Sequence, residues 1–522
     1  MPINEYFRKL NEQFKLGIAT EHTYRGALQN LISELEKEII VTNEPRRQQF
    51  GAPDYIITKN DIQIGYIEAK DIGDIDLDGK RANKEQFTRY KESLENIIFT
   101  DYLNFHWYIG NELVNKIAIG DVSGNKIVPL KSNFNVFKTM LKDFCMSKGQ
   151  PIKNPKKLAE RMASSARLLA DVIEKSLLND IEKDEHTSLF GQLKAFEEIL
   201  IHDITPKQFA DVYAQTIAYG MFAARIYDKG SDSFNRSKVA SNIPASNPFL
   251  KRFFGFISDY EPDLRIGWMI DSLAQFFAVC ELEVILRDFG KATVTEDPII
   301  HFYEDFLAAY DPKLRKSRGV WYTPKPVVSF IVRSVDDILK TEFGLPMGLA
   351  DSSIIKKDIK GTTKEFHKVQ ILDPATGTAT FLVEIIKHIH NSFKGQQGIW
   401  SDYVDQHLIP RLNGFELLMA SYAMAHLNID LSLMDTGYKS KMNNRYRVFL
   451  TNSLESPDEK ATPEAFMARW LSDEAREAEK VKSETPVMVI IGNPPYAVSS
   501  INKGKWIESL TTVSYTHLTL PT

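Results

Sequence analysis

From residue 312 onward the sequence alternates short apolar runs with stretches of helical periodicity, and no other feature restricts the fold as much. "KVQILDPATGTATFLVEIIKHIH" reads as strand, turn and helix; "LIPRLNGFELLMASYAMAHLNI" and "RYRVFLTNSL" repeat the pattern, and "PVMVIIGNPPY" supplies a further strand. Parallel neighbours cannot be joined by a tight hairpin, so a helix carries the chain back after each strand, and the expected product is an open parallel α/β sheet. Ligands of such sheets bind beyond the carboxyl ends of the strands. The last strand must stop at Pro494 and Pro495, which have no N–H to give to a ladder.

The chain has 522 residues, enough for about three domains. Residues 1–149 mix helices and strands. "ATEHTYRGALQNLISELEKEI" predicts a helix capped by Thr20, with Leu28, Ile32, Leu35 and Ile39 on one face. Strands are expected in "DYIIT", "IQIGYIEAK", "NFHWYIG" and "KIAIGDV", with one charged helix between the second and third. Residues 150–311 read as an all-helical connector. Leu158, Met162, Leu169, Val172, Ile173 and Leu177 form a stripe at helical spacing, and Thr205 followed by Pro206 opens another helix. Residues 312–522 hold the α/β pattern, so the whole is an α/β multidomain protein.

A hydrophobic content of 43% with 25% charged residues describes a soluble globular chain. No apolar stretch is long enough to span a bilayer, and the polar N-terminus is no signal peptide. Cys145 and Cys280 lie far apart and in no metal-spaced cluster, as expected of thiols in a reducing cytosol. The net charge of -5 gives no global sign of polyanion binding, which is left to the basic clusters "EPRRQQ", "KNPKK" and "DPKLRKSR". The chain has no Gly-x-x-x-x-Gly-Lys-Ser/Thr loop, so an ATPase motor is not expected within it.

Each strand of the last region ends in distinct chemistry. Asp373 and Gly377 follow the first, where a tight turn lets a ligand approach the backbone and a helix N-terminus offers free N–H groups. Glu416 ends the second, where a carboxylate can accept hydrogen bonds from a ribose diol. Asn452 follows the third, where an amide can read an adenine edge. After the fourth, the side-chain oxygen of Asn493 and the carbonyl of Pro494 can accept both hydrogens of an exocyclic amine. Tyr496 can stack on the base, and Pro494 and Pro495 stiffen the loop. "GVWYTPKPVVSFIV", "ILDPATGTATFL", "GFELL", "VFLTNSLE" and "GNPPY", in this order, resemble the gamma-class N6-adenine DNA methyltransferases that use S-adenosylmethionine (SAM). The resemblance covers about residues 318–496 and implies a Rossmann-like sheet. It further implies that Thr323, Asp373, Gly377 and Glu416 line the cofactor site, that Asn452 lies at the cofactor adenine, and that Asn493, Pro494, Pro495 and Tyr496 hold a flipped target adenine. Many members have Asp where this chain has Asn452. The family pattern also implies further strands and a target-recognition domain beyond Tyr496, so the methyltransferase region is expected to be truncated. The closing "SYTHLTLPT" continues no period and resembles translated adapter sequence.

"GAPDYIITKNDIQIGYIEAKD" holds a second constellation. If the hairpin turns near Asp61, paired residue numbers sum to about 122, and Asp54 faces Glu68 with Lys70 on the same side. Such oxygen ligands suit Mg²⁺, and Lys70 could orient a metal-bound water. Gln86 and Tyr90 follow one helical turn apart. The set resembles the PD-(D/E)xK nucleases of the Gln-x-x-x-Tyr branch, which implies catalytic roles for Asp54, Glu68, Lys70, Gln86 and Tyr90. The ion would rest on Asp54, Glu68 and Glu21, although Glu21 also suits the first turn of its helix on dipole grounds alone.

Nuclease, connector and adenine methyltransferase in one chain resemble the Type IIG restriction–modification enzymes, related to the Type ISP enzymes. That resemblance implies double-stranded DNA as partner and the prokaryotic cytoplasm as location; the oligomeric state stays open. Alternatives are a stand-alone DNA adenine methyltransferase with an inactive nuclease, a dead DNA-binding fragment, or an enzyme that methylates protein glutamine or ribosomal RNA.

Overall fold

The computed structural model describes residues 2–17, 19–43, 51–59, 62–147, 152–228, 234–259, 263–282, 284–285, 298–311, 323–442, 444–454 and 466–494. The chain forms two compact units. The first is built from residues 1–179, 230–236 and 261–286, the second from residues 180–229, 237–260 and 287–522. The helices of the middle region are thus divided between the two. Among the described residues, no helix is long and apolar enough to cross a membrane.

In chain order the N-terminal part begins with α1 (Pro2–Phe14), α2 (Glu21–Leu35), β1 (Ile40–Asn43), β2 (Tyr55–Lys59), β3 (Ile62–Ala69) and α3 (Lys84–Ser93). It continues with β4 (Asn96–Thr100), β5 (Asn104–Ile109), β6 (Glu112–Ala118), β7 (Gly120–Ser123), β8 (Lys126–Pro129) and α4 (Phe134–Met146). The first six strands make one mixed sheet in sequential order; β3 and β4 are parallel and the other neighbours antiparallel. Thr20 stands at the N-cap of α2, as expected, but the helix stops at Leu35. Ile39 therefore lies off it, because the following residues pair as β1 with β2. Strand alternation sorts the sheet's side chains. Tyr55, Ile57, Ile67, Ala69, Ile98 and Phe105 face the core made with α1, α2 and α4. Tyr66 and Phe99 face the other way, where Phe99 stacks on Phe87 of α3 at 3.9 Å.

The middle region comprises α5 (Pro155–Lys183), α6 (Ser188–Ile199), α7 (Pro206–Tyr227), α8 (Arg236–Asn242), α9 (Pro248–Asp259), α10 (Leu264–Ala278) and α11 (Pro298–Tyr310). The α5 stripe from Leu158 to Leu177 is buried. Thr205 caps α7 by accepting from the Gln208 N–H at 3.2 Å, with Pro206 in the first turn. In the first unit, α10 sets Trp268 edge-on to Tyr66. In the second, Tyr310 of α11 donates to Asp211 of α7 at 2.6 Å.

The rest of the second unit contains α12 (Lys325–Thr341), the hairpin β9 (Ile354–Ile359) and β10 (Thr362–His367), β11 (Gln370–Asp373), α13 (Thr380–Ser392), β12 (Leu412–Glu416), α14 (Met419–Asp435), β13 (Arg447–Leu450), α15 (Phe466–Glu484) and β14 (Val487–Ile490). Four strands form a parallel, Rossmann-like sheet in the order β13-β12-β11-β14. Phe415 and Phe449 face Ala478 and Val481 of α15, while His426 of α14 reaches the Val448 carbonyl at 3.3 Å. Tyr303 of α11 and Ser421 of α14 share a buried hydrogen bond at 3.0 Å. The order reverses between β11 and β14, and such a reversal opens a crevice at the carboxyl ends of the strands.

Arg161 ties α5 to the end of α3. It donates to the Lys91 and Leu94 carbonyls at 2.7 and 2.8 Å and pairs with Glu95 at 2.9 Å. Truncating it strands partly buried acceptors, so Arg161→Ala should cost about 2–4 kcal/mol. Arg8, exposed among Glu5 and Glu12 on α1, should leave stability almost unchanged on the same change. Denaturant unfolding of both variants checks the contrast.

Candidate functional site

In the second unit, Asp373 ends β11 and is 1% exposed. It accepts from the Ala375 N–H at 3.1 Å, which folds the chain back toward α13. Gly377 turns with φ +56, and its N–H donates to Glu416 at the tip of β12, 2.7 Å away. Glu416 also accepts from the Leu417 and Leu418 N–H groups at 2.9 and 2.8 Å. Three donors on a carboxylate with about four lone-pair sites leave room for one more. Asn452, just past β13, accepts from the Leu454 N–H at 3.0 Å, and its own carbonyl accepts from Lys482 at 2.7 Å. Ser453 donates to the Pro374 carbonyl, which joins the loops after β11 and β13.

The loop after β14 completes the crevice. Ile491 donates to the Leu372 carbonyl at 2.9 Å, so the chain keeps to β11 beyond the end of the strand. Gly492 then passes so close to Asp373 that a Cβ there would lie 2.4 Å from Oδ1. Asn493 is half-buried and Pro494 exposed beside this contact. Pro495 and Tyr496, expected to stiffen the loop and stack on a base, lie outside the described residues. Thr323 is half-buried, two residues ahead of α12, the helix whose Ser329 donates to Glu384 of α13 at 2.5 Å. Gly492 was not singled out from sequence, although its invasion of the Asp373 site leaves no space for a side chain.

Burial pushes the Asp373 carboxyl up to about 7, with the neighbouring Glu416 charge adding to the rise and the Ala375 N–H opposing it. Burial likewise raises Glu416 to about 7 against its three N–H donors. No basic side chain among the described residues is paired with either carboxyl. The crevice therefore suits a ligand that brings its own positive charge and hydroxyl donors, as SAM does. The residues present fit that cofactor.

The first unit gathers the other constellation. β2 and β3 pair with numbers summing to 122 from Tyr55↔Ile67 to Ile57↔Gly65, after which a bulge shifts the register. Asp54 precedes β2 and is 2% exposed; its Oδ2 accepts from the Ala69 N–H at 2.7 Å. Glu68, 4% exposed, accepts from Lys70 at 2.9 Å and from Gln86 at 2.7 Å, and Lys70 also donates to Gln86 at 3.0 Å. Tyr90 donates to the Gly51 carbonyl at 3.1 Å. Burial raises Asp54 from its ordinary value and pushes Glu68 up to about 7.

Glu21 does not join Asp54 and Glu68 as a ligand set. Arg25 of α2 lies between, donating to Asp54 Oδ1 at 2.6 Å and to Glu21 Oε1 at 3.2 Å. Among the described residues, no three His, Cys, Asp or Glu side chains are grouped to hold a metal ion. With no third ligand grouped beside Asp54 and Glu68 among the described residues and Arg25 already on Asp54, this arrangement fits a guanidinium and not Mg²⁺, the ion expected from the sequence. Arg25 was missed because helical periodicity attended to the apolar stripe; the clue was an Arg one turn after Glu21. Of the basic clusters, "DPKLRKSR" beyond Asp311 and "EPRRQQ" lie outside the described residues, and Lys153 of "KNPKK" pairs with Glu281 at 3.1 Å.

Residues 294–512 match the family model described as N-6 DNA Methylase. No curated protein matches the chain. Among solved structures, the chain is similar to a cryo-EM DrdV–DNA complex, with 20% identity over 99% of this chain and 46% of that one and a TM-score of 0.43. It is also similar to a nuclease-deletion mutant of the Type ISP restriction–modification enzyme LlaGI in complex with a DNA substrate mimic (19% identity, 73% and 28% coverage, TM-score 0.48). A third is the ATP-dependent Type ISP restriction–modification enzyme LlaBIII bound to DNA (18% identity, 74% and 23% coverage, TM-score 0.46). The chain spans less than half the length of each of these proteins.

The raised Asp373 carboxyl has a consequence for stability. In the unfolded chain it ionises at about 3.9. Below that pH both states hold the proton and its contribution is fully present. As pH rises toward 7 only the unfolded chain gives the proton up, and stability falls until the folded group ionises. Asp373→Asn keeps an oxygen for Ala375 and has no charge to bury. It should stabilise the protein at pH 8 by up to about 4 kcal/mol and give almost nothing at pH 4, as read by denaturant unfolding at both pH values.

Proposed function

We propose that this chain is a restriction–modification protein that methylates adenine N6 in double-stranded DNA with SAM and cleaves unmodified DNA. Residues 312–522 are the methyltransferase and residues 1–149 the nuclease. Residues 150–311 are a connector whose helices are built partly into each compact unit. One observation carries the methyltransferase reading: at the strand-order reversal, Gly492, which leads into Asn493 and Pro494, packs against Asp373, and Glu416 closes on Gly377 of the same turn. The family match over residues 294–512 supports it.

SAM supplies an electrophilic methyl group on a sulfonium. Glu416 accepts from a ribose hydroxyl, the raised carboxyl of Asp373 ionises toward the cationic ligand, and Thr323, Gly377 and Asn452 line the rest of the cofactor site. Asn493 and the Pro494 carbonyl accept the two N–H groups of an extruded adenine, which turns the amine's lone pair toward the methyl carbon. Pro495 holds the loop and Tyr496 stacks on the base. The acceptors act on the reacting amine, so Asn493→Ala should lower the methylation rate about 100-fold or more while SAM affinity, read by calorimetry, changes less than about threefold. Supplying labelled SAM with plasmid DNA and mapping the modified base tests the assignment. Label in N6-methyladenine supports it; label in protein or RNA, with none in DNA, overturns it.

For the nuclease, Asp54, Glu68, Lys70, Gln86 and Tyr90 are the working set, with Mg²⁺ as the expected ion and Glu21 beside it. The Asp54 site as it stands holds a guanidinium. Asp54→Ala and Lys70→Ala should each abolish plasmid cleavage in Mg²⁺ buffer and leave methylation of the same plasmid unchanged. Cleavage at the wild-type rate in either variant overturns this site.

A further inference from the structure

The tip of β13 is braced from three sides. The Thr451 N–H donates to the Glu416 carbonyl at 2.9 Å, and Ser453 donates to the Pro374 carbonyl. The third brace comes from α15. Lys482, in the last turn of that helix, donates to the Asn452 carbonyl at 2.7 Å and to Thr451 Oγ1 at 3.2 Å. Its ammonium also lies 5.6 Å from the centre of the Phe415 ring. Lys482 is half-buried. Holding a strongly hydrated ammonium on two neutral acceptors costs hydration and side-chain entropy. A helix C-terminus favours a lysine without any such contact. What the contact adds is a fixed peptide group after Asn452.

The Asn452 side chain is fixed in turn. Its Oδ1 accepts from the Leu454 N–H at 3.0 Å, an Asx turn that sets which end of the amide is oxygen and which is nitrogen. A 6-aminopurine offers a donor beside an acceptor, and a 6-oxopurine offers the reverse. An amide that can turn over serves either base; an amide held in one sense serves one. We infer that Lys482 is a positioning residue that sets the base specificity of the cofactor site: by clamping the Asn452 carbonyl it keeps the Asx turn closed, so that the Asn452 amide accepts a 6-amino group and rejects a 6-oxo group. Lys482 acts through Asn452 and not on the cofactor. Because α15 leads directly into β14, one segment carries both this brace and the Asn493 loop. The inference rests on the methyltransferase reading, in which Asn452 lies at the cofactor adenine.

Calorimetric titration of the full chain with S-adenosylhomocysteine, and with its inosyl analogue in which O6 replaces the adenine amine, tests it. Wild type should prefer the adenosyl ligand by about tenfold or more. Lys482→Met keeps the stem over Phe415 and loses the donors; it should narrow the preference to about threefold or less, mainly by weakening the adenosyl ligand. Lys482→Arg keeps a donor for the Asn452 carbonyl and should retain most of the preference. Should Lys482→Met fail to fold, Lys482→Gln, one atom shorter and uncharged, carries the comparison. An equal loss for both ligands, or no loss for either, overturns the role of Lys482 and leaves the methyltransferase reading standing. A wild type that binds the two ligands equally overturns that role together with the place of Asn452 at the adenine. Binding of neither ligand by wild type overturns the methyltransferase reading as well.

Discussion

The contact between the Asp373 carboxylate and the Gly492 backbone governs the second unit. It exists because β11 and β14 are parallel neighbours on the side where the strand order reverses, and because Ile491 keeps the chain against β11 past the last strand residue. A side chain at Gly492 would displace the carboxylate or the loop. The same carboxylate turns the chain through Ala375, and from that turn Gly377 reaches Glu416. The groups proposed to face cofactor and base are thus linked through backbone N–H donors and a close backbone approach rather than through long, mobile side chains, the kind of preorganisation that methyl transfer to a weakly nucleophilic amine requires.

The two units handle buried acid in opposite ways. In the first, each carboxylate has a cation beside it: Arg25 for Asp54 and Lys70 for Glu68. In the second, Asp373 and Glu416 are held by N–H groups alone, and burial lifts both to about 7. A site with its own cation holds its charges offset without any ligand. A site without one bears a cost when empty that a cationic ligand relieves. Lys70 stands two residues from Glu68 and the fold brings Arg25 to Asp54 from 29 positions away, while the "DPATGTATF" loop contains no basic residue.

Much of this was legible in the sequence, for reasons that can be given residue by residue. The β2–β3 register follows from alternation and the turn near Asp61, because a one-residue slip would turn Ile57 and Ile67 out of the core. The bulge after Ile57 left no trace, and the parallel strand "NIIFT" was passed over because five residues after a charged helix carry little periodicity. In the second unit the four strand tips were readable because each apolar run ends abruptly. Their convergence depends on strand order, which no local pattern encodes. The helices of residues 150–311 show the same limit: a buried stripe such as that of α5 reveals that a partner exists, not which unit supplies it. Arg25 escaped notice because its role is set by Asp54, 29 positions away.

The central claim is that the carboxyl ends of β11, β12 and β14 form one cofactor crevice. A structure of the chain soaked with S-adenosylhomocysteine tests it most directly. The account predicts ribose density against Glu416 and Gly377, with the sulfur between Asp373 and Asn493. Density at the amino ends of the strands, or in a cavity that touches none of these residues, would contradict it.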